Sequence, residues 1–356
     1  MIKKKYMENM SADDLIKKQL TMRAVVWDVM NLKGETDKLE SELKIYDICR
    51  VRLFMEKDQE DQMAGIGCLE KYEEMQRVLS EAGFAEKEAV LVTEDAMLAE
   101  YVYQQQEGIA AHWKASIEEK SAVRGTTYAK YVQERNSGAA AVYYERKGNK
   151  ENVSADMIVQ GFEEIGVQFL DRIHKRRNGL PWNILYTSRT CVREITLSDL
   201  DELYELYEGE GITDYTEPLF VREKEEEYTK SYISYMYRYY GYGMWVVCDR
   251  VSGKLLGRAG IEHHDGENGE GEVLMELGYM IRKEYQSKGY ATEVCKAILE
   301  YACEELQMNQ LHCFIHPKNY ASIRVAEKLG FLKCDNAVGR REVMLHYCIE
   351  LNSAKF

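Results

Sequence analysis

The sequence predicts an α/β protein built from two domains. Three observations carry that expectation. The chain has 356 residues, more than one ordinary hydrophobic core accommodates. Short apolar runs alternate with amphipathic stretches in two blocks. Between the blocks, "RNGLPWNILYTSR" holds Gly179 and Pro181, residue types that interrupt regular structure. The expected organisation is a helical extension over 1–22, a first domain over 23–178, a linker over 179–189 and a second domain over 190–356.

In the first block, "RAVVWDVMN" reads as an apolar strand ending in polar residues, and "EAVLVTED" as a second strand after a helical region. "AMLAEYVYQQQEG" is a helix stopped by Gly108. "IAAHW" and "AAAVYY" are candidate strands, and "ADMIVQGFEEIGVQFLDRIHKR" gives a last strand and a helix. In the second block, "CVREITLSDLDELYELYEG" is a strand, a cap and a helix. "GMWVVCDRVSGKLLGRAGIEHH" is two strands about the turn "VSGK". "EVLMELGYMIRKEY" is another strand, followed by a polar turn and a helix running to about Met308. "QLHCFIHP", "NYASIRVAEKLGF" and "REVMLHYCIE" complete a β-α-β close.

Composition narrows the function. Hydrophobic residues make up 45% and charged residues 30%, and no apolar run approaches the ~20 residues that cross a bilayer. "MIKKKYMENMSADDLIKKQ" is charged and lacks a signal-peptide core, so a cytoplasmic location is expected. Nine cysteines without a CxxC pair are then expected as reduced, mostly buried thiols. A net charge of −14 argues against nucleic acid and an anionic membrane surface as partners. From Thr190 onward, 19 Lys and Arg face 29 Asp and Glu, a net −10 whose first reading is simple solubility and whose alternative is attraction of a cationic small molecule or a basic peptide end. The oligomeric state is not readable.

The stretch "EYQSKGYATE" carries the chemistry. A glycine just ahead of a helix lets the backbone turn tightly, and helix N-terminal amides lack internal partners and attract anions such as phosphates. The bland alternative is an ordinary strand-to-helix turn.

Residues from about Thr190 to Glu350 resemble a GNAT-superfamily N-acetyltransferase, most of all the branch acting on ribosomal-protein N-termini. The matching text is Gln286-Ser287-Lys288-Gly289-Tyr290-Ala291, a Q/R-x-x-G-x-G/A signature, with "ELGYMI" at Glu276 to Ile281 and "NYASIRVAEKLGF" at Asn319 to Phe331. The resemblance implies transfer of acetyl from acetyl-CoA to a primary amine. It implies that the turn Gln286–Ala291 holds the diphosphate. It also implies that Leu277, Tyr279, Met280 and Ile281 splay from the neighbouring strand to bind the pantetheine, with an amide near Met280 polarising the thioester carbonyl. Asn319 and Ser322 are implied contacts.

An amine nucleophile must first lose a proton. Glu276 is the first candidate base, with a paired sheet carboxylate as the equal alternative. His263 and His264 are second candidates, and His316 is expected to be structural. Relatives offer a tyrosine acid where Ala326 stands here, so Ser322 or Tyr320 must substitute, or the thiolate leaves unaided with its ordinary pKa of about 8.5. Tyr228, Tyr232, Tyr235, Tyr239 and Tyr242 fall on one helical stripe, expected to pack on the sheet and otherwise to wall a cationic acceptor. The run Glu223 to Glu227 is expected to be a solvated face.

The first block resembles a haloacid-dehalogenase (HAD)-like hydrolase, a Rossmannoid three-layer α/β/α domain, through "VVWDVMN", "VLVTEDAMLAEYVYQQQEGI" and "ADMIVQGFEEI". Asp28 matches its nucleophile, and Glu94 with Asp95 its later acidic pair. Lys71 is a candidate for its lysine. Met30 stands where a second aspartate belongs, and a thioether is a poor ligand for Mg2+. A catalytically degenerate domain that docks or senses is therefore expected. Two alternatives to the acetyltransferase remain open: an acyl-CoA sensor without turnover, and a Mg2+-dependent phosphatase fused to an acetyltransferase.

Overall fold

The computed structural model describes residues 17, 19–29, 36–53, 68–103, 138–146, 153–163, 165–265, 273–334, 337–338 and 343–352. The chain divides into two compact units, Met1–Leu180 and Pro181–Phe356.

Among the described residues, the N-terminal unit holds five strands: β1 (Ala24–Asp28), β2 (Cys49–Arg52), β3 (Ala89–Thr93), β4 (Ala140–Tyr144) and β5 (Met157–Val159). All pair in parallel, in the order β2-β1-β3-β4-β5, that of an open doubly wound sheet. β1, β3 and β4 are buried along their whole length. Alternate residues serve two cores, as a sheet covered on both faces requires. Val25, Trp27, Val90, Val92 and Val142 pack with Leu39 and Leu43 of helix Asp37–Ile45 and with Leu170 and Ile173 of helix Val167–Arg177. Val26, Leu91 and Ala141 pack with Met75 and Leu79 of helix Cys68–Glu81 and with Leu98 and Val102 from the helical segment 96–103. The three-layer arrangement thus follows from the strand period.

β2 is absent from the expected elements, because its four residues, Cys-Arg-Val-Arg, carry no apolar run. "IAAHW" and Met30 lie outside the described residues, as does most of the expected extension 1–22. Its described end is not an appendage. Leu20 and Met22 are buried in the core. Buried Asp171 accepts the Thr21 and Met22 N–H groups at 2.7 and 2.8 Å and pairs with Lys175 at 2.8 Å.

The C-terminal unit is a mixed sheet in the order β12-β14-β11-β10-β9-β8-β7-β6, with β13 paired to β14. Its strands are β6 (Asn183–Tyr186), β7 (Thr190–Arg193), β8 (Met244–Asp249), β9 (Leu255–Asp265), β10 (Val273–Ile281), β11 (Gln310–Ile315), β12 (Leu332–Lys333), β13 (Ala337–Val338) and β14 (Val343–Glu350). β6 occupies the stretch expected as a linker. Among the described residues only β10 and β11 run parallel; the other pairs are antiparallel. Helix Tyr290–Glu304 buries Val294, Cys295, Ile298, Leu299 and Ala302, a stripe at helical spacing, in the core that also holds Trp245 and Leu277.

Two expectations fail here. Cys334 and Cys348 form a disulfide, because the antiparallel pairing of β12 with β14 brings them together, so not every cysteine is a free thiol. The tyrosine stripe also breaks. Helix Arg222–Tyr232 continues as a π-helix over Ile233–Tyr240, where each residue turns less than in an α-helix, so spacings of three and four no longer share a face. Tyr232 and Tyr242 stay partly or wholly buried, while Tyr235 and Tyr239 are 58% and 76% exposed. Among the described residues no helix is long and apolar enough to cross a membrane.

Candidate active site

The site begins where the C-terminal sheet opens. β10 and β11 share a single paired position, Glu276 with His312. Beyond it the strands part, and a cleft of about 1470 Å³ occupies the gap. On its other edge β10 stays paired with β9 through Ile281.

Strand alternation decides which backbone groups face the cleft. The Arg282 N–H donates to Leu256 O at 2.8 Å, so even-numbered residues of β10 direct their N–H and C=O toward β9. A Cβ built on Gly257 of β9 would lie 2.1 Å from the Met280 carbonyl oxygen, which places that carbonyl against β9. Met280 therefore lines the cleft with its amide directed toward β9, so the expected amide near Met280 falls to a neighbouring odd-numbered residue. Leu277, Tyr279 and Ile281 turn their main-chain groups to the cleft. Two of their carbonyls have partners: Cys313 Sγ meets Leu277 O at 3.4 Å, and Gln286 Nε2 donates to Ile281 O at 2.9 Å.

The turn after β10 wraps the end of the cleft. Ser287 and Gly289 adopt left-handed backbone, with φ of 58° and 82°. A side chain is costly there, which is why Gly289 precedes the helix. Gln286, Ser287, Gly289, Tyr290 and Ala291 line the cleft beside Lys283 and Tyr285. Lys288 is not in the lining; its carbonyl accepts from Arg189 Nη1 at 3.1 Å.

Opposite β10, Asn319 caps helix Tyr320–Lys328 by accepting the Ser322 N–H at 3.1 Å. Asn319 and Ser322 both line the cleft. Tyr320 does not: it is 68% exposed on the outside of that helix, which removes it as a candidate acid. The phenol of Tyr279 donates to Ser322 O at 2.9 Å, tying β10 to this helix, and burial pushes its pKa up.

At the mouth of the opening, Glu276 Oε2 meets His264 Nδ1 at 3.0 Å. These two are diagonal neighbours on one sheet face, because His264 pairs with Leu274 and Glu262 with Glu276. The His264 ring stacks on Phe314 at 3.9 Å, and Phe314 on His346 at 4.7 Å. Burial, chiefly, holds His346 below its ordinary pKa. His263 also lines the cleft, bonded to Tyr242 Oη at 2.8 Å. His316 stacks on Tyr215, accepts the Lys318 N–H at 3.1 Å and also lines the cleft. The loop from Gly211 to Pro218, which no sequence motif marks, adds Asp214 and Glu217 to the lining.

A second polar cluster sits at the strand ends of the N-terminal unit, where β1 and β3 lie side by side and the strand order reverses direction. Buried Asp28 accepts from Thr93 Oγ1 at 2.6 Å. Burial pushes its pKa up to about 7 against the opposing pull of Thr93 and Lys71. Lys71 pairs with Asp95, and Arg146 with Glu94. Among the described residues, no group of three or more His, Cys, Asp and Glu side chains converges to hold a metal.

The family model of the acetyltransferase (GNAT) domain matches residues 189–332. The chain is 36% identical over 110 residues to the uncharacterised protein YkkB of Bacillus subtilis (strain 168), covering 30% of this chain and 62% of that one. It is 37% identical over 79 residues to the uncharacterised N-acetyltransferase YnaD of the same organism, covering 22% and 42%. These matches span about half the length of the two curated relatives. Among solved structures, a ribosomal-protein-S5-alanine acetyltransferase from Vibrio fischeri is similar at 16% identity and a TM-score of 0.41, over 48% of this chain and 97% of that one. Residues 189–332 form an acetyltransferase domain of the GNAT family.

Proposed function

We propose that the C-terminal unit moves the acetyl group of acetyl-CoA to a primary amine by direct attack. The observation that carries this reading is the parting of β10 from β11 beside a left-handed turn at a helix N-terminus, within one cleft. The turn suits a diphosphate: amides without helical partners converge there beside Lys283. The freed edge of β10 suits the amide groups of a pantetheine arm. With Met280 turned toward β9, the Tyr279 amide becomes the candidate to polarise the thioester carbonyl.

The Glu276–His264 pair takes the proton of the incoming ammonium. The neutral amine then attacks the thioester carbon, the C–S bond breaks as the thiolate leaves, and the nitrogen gives up its second proton. The Ser322 hydroxyl is the candidate to relay that proton to the thiolate, donating one proton as it receives the other. Asp214, Glu217 and Glu276 supply carboxylates to the lining, which favours a cationic acceptor. The test is release of free thiol from acetyl-CoA against a panel of amines and peptide N-termini. Turnover with one class supports the reading. Binding of coenzyme A without turnover on any amine would replace it with an acyl-CoA sensor.

A second reading concerns the N-terminal unit alone. Asp28, Thr93, Lys71 and Asp95 gather at the carboxyl ends of parallel strands, where open α/β sheets bind ligands. This favours a hydrolase-like phosphate site, intact or degenerate. Mg2+-dependent phosphate release from a generic ester, abolished by Asp28→Asn, separates the two.

A further inference from the structure

Arg189, on the turn between β6 and β7, reaches the Gln286–Gly289 turn from outside the cleft. Its Nη1 donates to Lys288 O at 3.1 Å, and its guanidinium lies 3.9 Å from the centre of the Tyr290 ring. Nε and Nη2 pair with Glu293 at 2.7 and 2.6 Å. Glu293 stands in the first turn of helix Tyr290–Glu304 and also accepts from Ser188 Oγ at 2.9 Å and from the Arg189 N–H at 3.0 Å. Burial alone would raise the pKa of Glu293, but the bonds from Thr187, Arg189 and Ser188 outweigh it and hold the pKa at about 2. Glu293 therefore stays ionised through the neutral range.

A trans peptide is planar, so the C=O of residue 288 and the N–H of residue 289 point in opposite directions. Arg189 draws the Lys288 carbonyl outward. The Gly289 amide must then turn the other way, and Gly289 lines the cleft while Lys288 and Arg189 do not. We propose that Arg189 is the positioning residue of this turn: its fork fixes the Lys288–Gly289 peptide plane so that the Gly289 amide faces the donor's diphosphate. This rests on the acetyl-CoA reading. Because Glu293 already matches the guanidinium charge, the role is geometric. A lysine, with one compact charge and no fork, does not replace it.

The test uses the full chain with Arg189→Gln and Arg189→Lys, titrated calorimetrically with coenzyme A and with pantetheine, which lacks the diphosphate. Both variants are expected to bind coenzyme A about tenfold more weakly, the scale of one charge-assisted contact, and pantetheine about as well as the parent. Unchanged coenzyme A affinity in Arg189→Gln overturns the proposal. So does rescue by lysine, which would make the role one of charge, and so does equal loss of both ligands, which would make it one of folding. If the Arg189 variants do not fold, Glu293→Gln decides with the same two ligands: it loosens the clasp and is expected to weaken coenzyme A alone. A parent protein that binds neither ligand removes the acetyl-CoA reading itself, and the proposal with it.

Discussion

In the N-terminal unit every strand pair is parallel and the sheet is closed along its described length; in the C-terminal unit the parallel pair β10–β11 holds at one position and then parts. The closed sheet uses its main-chain groups on itself. What it leaves for chemistry is side chains at strand ends, and there it gathers carboxylates, a threonine and a lysine. The opened sheet instead turns main-chain amides into a gap, and side chains such as Gln286 satisfy what remains. One arrangement suits a charged group met by side chains. The other suits a long ligand with amides and phosphates of its own.

The largest expected effect tests the opened sheet. Gly289→Glu forces a side chain onto left-handed backbone and sets a carboxylate beside the diphosphate turn. Coenzyme A affinity should fall at least about a hundredfold by calorimetry, since strain and like charge act together. Retained affinity would mean that the anion lies elsewhere. Next in size is Glu276→Gln. It should lower kcat/KM for the amine by about 10²- to 10⁴-fold, the usual span for a lost general base. Coenzyme A affinity should hold, because the proposed reading sets Glu276 beside the acetyl end and away from the diphosphate. Equal loss of both would assign Glu276 to the architecture of the strand.

The contrast also explains what was legible from sequence. β10, the turn at Gly289 and helix Tyr320–Lys328 announced themselves through local text, and the cleft gathers all but Lys288 and Tyr320 of the residues expected in it. Local patterning could not say which amides of β10 face that cleft. That depends on the register with β9, which the Arg282–Leu256 bond reveals. It could not pair His264 with Glu276 either, since 12 residues and a hairpin separate them. The clasp of Arg189 on Lys288 spans 99 residues and leaves no local trace. β6 was hidden by its neighbours Gly179 and Pro181, which read as a break. The π-helix was hidden because Ile233–Tyr240 spells an ordinary amphipathic α-helix.

The closed sheet gives a pH signature of smaller size. Asp28 has a folded pKa of about 7 against an ordinary value of 3.8, so the folded chain holds this proton more tightly than the unfolded chain. Stability from this group is present in full below the ordinary carboxylate range. It declines as pH rises toward 7 and is lost above that, by a few kcal/mol, about 1.4 for each pKa unit. Asp28→Asn mimics the protonated form. Its unfolding midpoint in denaturant should match the parent near pH 4 and exceed it at pH 8. A parent midpoint flat between those values would show that Asp28 is solvated or matched by charge.

The smallest effect concerns the tyrosines. Tyr232 donates to Glu262 at 2.7 Å and accepts the Met244 N–H at 2.6 Å, so it ties helix and sheet together. Tyr239 stacks on Tyr235, meets Tyr240 edge-on and is 76% exposed. If the opened sheet alone builds the acceptor site, Tyr239→Ser should leave KM for the amine unchanged and shift stability by less than about 0.5 kcal/mol, as exposed substitutions do. A rise in KM without loss of stability would extend the acceptor site onto the π-helix. An aromatic face that attracts ammonium would then have to be added to the carboxylates of the cleft.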